Sequence, residues 1–133
     1  MGPGLEPYGI TTYLPDPAFT LYQNVDGTNT PRDSNDDWSA AAIGDAFAQV
    51  GAFDLPANSA DAALVMDMTA GVYTAPIQNP ADDNAVVLVE LYDMANAASG
   101  PRVVNLSSRG FVGSGSDLMI AGFAIPGTVP RRL

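Results

Sequence analysis

Polar and apolar residues alternate with a period of two along several short stretches of this chain, and repeat at helical spacing in only one. In PDPAFTLYQN the alternation predicts a strand over 19–23, with Phe19 and Leu21 on one face and Thr20 and Tyr22 on the other. NSADAALVMDM predicts a strand over 62–68, and GVYTAPIQ another over 72–78, entered by a tight turn at Gly71. AVVLVELYDM, 85–94, is the most apolar segment. Val86, Leu88, Glu90 and Tyr92 face one way and Val87, Val89, Leu91 and Asp93 the other, which places this strand centrally in a sheet. RVVNLSS, 102–108, and DLMIAGFAI, 117–125, complete the set.

The intervening segments carry turn chemistry. Residues 1–18, rich in Gly and Pro, are expected to be extended or turning. VDGTNTPRDSNDDW reads as a long polar loop with a turn at Asp26-Gly27, and NPADDN and ANAASGP read as turns. In SAAAIGDAFAQV, 39–50, Ile43, Phe47 and Val50 fall at i, i+4 and i+7, the spacing of a helix face. Asp37 or Ser39 can cap it, and its short length requires packing support. The expected fold is mainly β: a β-sandwich or jelly-roll-like domain with one short helix covering an open end. The 133 residues suit a single domain, 1–133.

Composition narrows the chemistry. The formal net charge is −10, there is no lysine, and only Arg131 and Arg132 adjoin one another among the five arginines. Such a chain is expected to bind neither nucleic acid nor an anionic membrane surface. No apolar stretch is long enough to predict membrane insertion. Cysteine and histidine are absent, which removes disulfides, the common zinc sites and the usual acid–base residue. The N-terminal MGPGLEPYG has neither the basic segment nor the apolar run of a signal peptide. That is expected of a cytoplasmic chain, or of a mature or excised portion of something larger.

NLSSRGFVGSGSDLMIAGF, 105–123, is glycine-rich, yet Gly115 is followed by Ser116-Asp117 where a phosphate loop needs Lys and Ser/Thr. The apolar run after it reads as a strand, so the loop is expected to connect strands, with Arg109 in a structural pairing. Asn35-Asp36-Asp37-Trp38, preceded by Asp33, offers oxygen donors for Ca²⁺, with Asp61, Glu90 or Asp93 as further ligands. The other reading of that stretch is a capped helix, with Trp38 plugging the sandwich edge and Asn/Asp closing local turns. Both stand at this point, so calcium is the one cofactor considered. Ser107, Ser108, Ser114 and Ser116 have no His or Lys base, and the chain is expected to be catalytically inert. A glycosidase-type carboxylate pair has no aromatic cleft signal to support it. Tyr8, Tyr13, Tyr22, Tyr73 and Tyr92 suit half-buried sheet positions better than a sugar-binding surface.

Several phrases together resemble a repeat domain of large bacterial surface proteins of the Verrucomicrobia type. They are Gly2-Pro3-Gly4-Leu5 with Tyr8-Gly9-Ile10, Leu14-Pro15-Asp16-Pro17, Asn35-Asp36-Asp37-Trp38, Ser59-Ala60-Asp61-Ala62, Gly71-Val72-Tyr73-Thr74, and Asn105 through Gly113. The resemblance spans nearly the whole chain and transfers no active site. It implies an extracellular or cell-surface location and a unit whose register is cut inside a strand. Copies are then expected to join head to tail by strand complementation, using Gly2, Pro3, Leu5, Ile125, Arg131, Arg132 and Leu133. Arg131 or Arg132 would meet a neighbour's Glu6 or Asp16. The leading expectation is a structural subunit or repeat of an extracellular filament. The alternative is an adhesive or carbohydrate-binding module, with cell-surface polysaccharide as a partner.

Overall fold

A computed structural model of the chain describes residues 1–79, 85–94, 105–113, 117–125 and 130–133. It is a β-sandwich-like domain with a short helix. The larger sheet contains β1 (Ala18–Val25), β2 (Thr28–Asn35), β4 (Gly71–Gln78) and β7 (Met119–Ile125) in the order β2-β1-β4-β7, with every pair antiparallel. Facing it, β5 (Ala85–Tyr92) pairs antiparallel with β6 (Asn105–Val112). Short β3 (Asp67–Met68) pairs with β8 (Arg131–Arg132). Helix α1 covers Ala40–Val50, and a 3-10 helix, η1, covers Pro3–Tyr8.

The side chains between the sheets form two clusters. Leu14, Ile77, Ala85, Val87 and Val112 fill one end. Leu21, Met68, Tyr73, Ala75 and Ile125 fill the other, where Tyr73 stacks on Phe123 with centroids 5.6 Å apart. Phe19 packs against both clusters. Alternate residues of β4 and β5 supply these clusters, as a period of two requires.

The polar loop expected at 25–38 is in large part a strand. Asp26 and Gly27 both have positive φ, 51° and 82°, the geometry of a two-residue hairpin turn whose twist matches its strands. The Asn24 side chain accepts the Gly27 N–H at 3.1 Å and supports that turn. β2 then runs back along β1 as an exposed, polar edge strand. The register shifts between Leu21↔Asp33 and Tyr22↔Pro31, which leaves Arg32 as the extra residue of a bulge beside Pro31. Edge placement and a bulge are the two circumstances in which a strand tolerates proline. Backbone pairing, invisible to hydrophobic patterning, overrode the polar composition.

Three further boundaries differ from expectation. Of the strand expected at 62–68, only Asp67–Met68 is regular strand; Met66 beside it exchanges backbone bonds with Leu133, and the Ala63 N–H goes to the Asn35 side chain. β6 reaches Val112, so Arg109, Gly110 and Phe111 are strand residues and not loop. β7 is followed by β8, which the Pro-marked ending conceals. The turns expected at 80–84 and 95–101, and the strand start at 102–104, lie outside the described residues.

Leu14 lies outside the regular strands yet is only 1% exposed, at the centre of the first cluster. Leu14→Ala is expected to cost about 2–5 kcal/mol in urea unfolding, the range of a buried leucine truncation.

Candidate functional site

The stretch Asn35-Asp36-Asp37-Trp38 organises the loop leading to Asp61, through its outer residues. The Asn35 side-chain oxygen accepts the Ala63 N–H at 2.8 Å. The Trp38 backbone N–H donates to the Asp61 carbonyl at 2.8 Å. The Trp38 indole N–H donates to Ser59 Oγ at 3.1 Å and to the Pro56 carbonyl at 3.2 Å, and its ring lies 5.6 Å from that of Phe47 on α1. Trp38 thereby ties the helix to the loop. Ser39 takes the N-cap position of α1, but its side chain makes no capping bond.

Asp61 is fully buried. Its carboxylate accepts N–H bonds from Gly2 (2.5 Å) and Gly4 (2.9 Å) and the Ser59 hydroxyl at 2.7 Å. A buried carboxylate requires such donors, and these bonds are stronger than neutral ones. The site also requires glycine. A Cβ on Gly2 would run into the Leu14 carbonyl oxygen, and one on Gly4 would meet Met1 Cγ at 2.9 Å. Asp61 thus straps the N-terminal segment to the domain.

The strap places that segment beside β5. Val86 directs both backbone groups away from β6: its N–H donates to the Thr12 carbonyl at 2.7 Å, and its carbonyl accepts the Leu14 N–H at 2.8 Å. Antiparallel alternation turns Leu88, Glu90 and Tyr92 the same way. Leu88 exchanges two bonds with Met1, at 2.9 and 2.8 Å. Burial holds the Met1 ammonium below its ordinary pKa, against the opposing pull of Asp61 and Glu90. Beyond β5, the Met94 N–H donates to the Arg132 carbonyl at 2.9 Å, while Leu133 and Met66 exchange two bonds of 3.0 Å. The neighbour of β5 is therefore made of separate pieces: residues 12–14, which run parallel to it, Met1, and β8. Among the described residues, the outward backbone groups of Glu90 and Tyr92, between Met1 and β8, have no backbone partner.

Behind this edge is an apolar cavity of about 410 Å³ between the sheets, with Leu21, Phe47, Val89, Leu91, Phe123 and Leu133 among its lining. Leu106 on β6 also lines it and remains exposed, so the cavity opens along β6 as well. Among the described residues β5 is thus flanked by a full strand on one side only, which corrects its expected central position. The Tyr92 hydroxyl donates to Glu90 at 3.1 Å. Burial and then the Glu90 charge raise the Tyr92 pKa to about 12.

The acids considered for calcium are not brought together. Asp33 accepts the N–H of Ser34 at 2.8 Å, Asp36 and Asp37 are exposed, and Asp61 is engaged as described. Among the described residues no group of three or more His, Cys, Asp or Glu is placed to hold a metal ion. The physical reason is that the lone pairs of Asp61 face N–H and O–H donors. The seven residues expected at an assembly surface all belong to segments folded onto their own domain. Gly2, Pro3 and Leu5 lie in the strapped segment, with Leu5 buried. Ile125 is in the second cluster, Arg131 and Arg132 pair with Met68 and Asp67, and Leu133 packs on that cluster. Arg109 is exposed on β6, opposite Leu88. Of the glycine-rich loop, Gly113 donates its N–H to the Asp117 carbonyl at 2.8 Å, and 114–116 lie outside the described residues.

Comparisons with protein-family models, with characterised proteins and with solved structures find no match.

Two outcomes follow from this geometry. Asp61→Ala leaves buried N–H groups unpaired and is expected to cost about 3 kcal/mol in chemical denaturation, whereas Asp36→Ala and Asp37→Ala each stay within about 0.5 kcal/mol. Because the Tyr92 pKa is raised in the folded state, its contribution to stability is complete below its ordinary value of 10.0 and is lost as the pH rises from there to about 12. An ultraviolet titration is expected to show a tyrosinate step near that upper value, absent in Tyr92→Phe.

Proposed function

We propose that the chain is a structural unit of an extracellular filament or surface fibre, in which copies join head to tail by exchanging strands at their ends. The carrying observation is the pieced cover beside β5. Its parts come from the two ends of the chain, and among the described residues the outward backbone groups of Glu90 and Tyr92 have no backbone partner between them. An exposed sheet edge above an apolar cavity is a template for an incoming strand. A contact that joins the end of one copy to the start of the next does not close on itself, so it propagates. The role proposed is non-enzymatic, and the acidic surface, net charge −10, keeps lateral association weak.

Sedimentation and electron microscopy of the full chain test this reading. Concentration-dependent end-to-end oligomers are expected. Glu90→Pro removes an N–H that β6 does not use, and at an edge it is expected to preserve folding while shortening the oligomers. A monomer at every soluble concentration, or oligomers unaffected by Glu90→Pro, would overturn the proposal.

A further inference from the structure

The apolar cavity between the sheets has the size and the lining of a ligand site. Its volume, about 410 Å³, falls within the usual range of small-molecule pockets. All five methionines of the chain border it: Met1, Met66, Met68, Met94 and Met119. Methionine is unbranched, with a polarizable thioether, and reshapes itself around different apolar partners. Wall atoms without neighbours forgo their dispersion contacts, and that cost grows with cavity volume, so an apolar occupant is favoured. An aliphatic cavity of roughly 150 Å³ accepts benzene, and on that scale this one accepts about sixteen non-hydrogen atoms.

The polar groups within reach decide what kind of molecule fits. Cross-strand partners share a face, so Ser108 lies on the face of Val89 and Leu106 on that of Leu91, and all four border the cavity. Glu90 and Tyr92 border it from β5, but alternation sets their side chains on the other face, where the Tyr92 hydroxyl donates to Glu90. Arg109, opposite Leu88, shares that other face. Among the described residues no arginine borders the cavity, and the one cation at its rim is the Met1 ammonium. That group donates to the Leu88 carbonyl and already lies in the field of Asp61 and Glu90. A bound molecule therefore meets neutral partners: the Ser108 hydroxyl at the β6 opening, and the outward backbone groups of Glu90 and Tyr92 at the β5 edge. A carboxylate would enter without a counter-charge, into a chain of net charge −10.

We infer that this cavity binds a neutral amphiphile: an alkyl chain of roughly ten to fourteen carbons with an uncharged hydrogen-bonding head, such as a hydroxyl or an amide. The chain lies among the methionines, Phe47 and Phe123, and the head sits at an opening of the cavity, where the neutral donors and acceptors are. The inference goes beyond the filament reading and does not depend on it, because every wall of the cavity belongs to one copy of the chain.

The test uses the full chain, diluted until sedimentation shows a monomer, and the uncharged fluorophore N-phenyl-1-naphthylamine. Saturable binding of a single probe per chain is expected. Decan-1-ol is expected to displace it, and decanoate and decylammonium to do so at least about tenfold more weakly. Ala121→Phe fills the cavity from β7 and is expected to weaken probe binding by about tenfold or more while the melting temperature holds or rises. Ala63→Leu repeats that test from the segment before β3 if Ala121→Phe does not fold. Phe111→Ser removes an exposed ring that does not border the cavity and is expected to leave binding unchanged. The inference is overturned by an absence of saturable binding, by equal displacement with all three competitors, by full binding in a folded cavity-filling variant, or by loss of binding in Phe111→Ser.

Discussion

A buried carboxylate must find hydrogen-bond donors, and this requirement at Asp61 governs the open side of the molecule. Donors from Gly2, Gly4 and Ser59 meet it, and two of these belong to a segment nearly sixty residues away in sequence. The strap aligns Met1 with Leu88 and delivers residues 12–14 to Val86. Without it, β5 would present its outward backbone groups to solvent from Val86 onward. Glycine at positions 2 and 4 is part of the same requirement, because the segment passes too close to Leu14 and Met1 for a side chain.

Trp38 extends this constraint to the helix. Its backbone N–H is bonded to the Asp61 carbonyl, its indole to Ser59 and Pro56, and its ring lies against Phe47. Helix α1 is too short to be stable alone. Ala46 is buried, and Phe47 and Val50 border the apolar space between the sheets. One polar network therefore positions the helix, the loop to Asp61 and the strapped terminal segment.

Sheet edges set the second constraint. On the β2 side, the edge is polar, carries a proline and has a bulge, all of which discourage further pairing. The outer edge of β5 has none of these devices. It is covered in pieces, and the stretch without a backbone partner among the described residues lies over an apolar cavity. This contrast between two edges of one domain gives the proposed assembly its direction.

The period-two pattern was sufficient to identify β1, β4, β5 and β7 and the mainly β class, and the helical spacing of Ile43, Phe47 and Val50 identified α1. These elements are legible because each buries one face, and burial leaves a periodic record. β2 was not legible. Its pairing uses backbone groups and its side chains face water, so neither face is marked. Nor was β8, a two-residue strand that exists through its partners Asp67 and Met68. The stretch Asn35 to Trp38 and Asp61 were recognisable as places of interest, but the acids themselves suggested a cation. Tertiary structure assigned the work to Asn35 and Trp38 and supplied Asp61 with backbone donors, because hydrogen-bond partners distant in sequence leave no local pattern. The amino-acid sequence by itself determined which segments have an apolar face to bury. Only the folded chain decided which edges meet, since that depends on backbone groups that every residue carries alike.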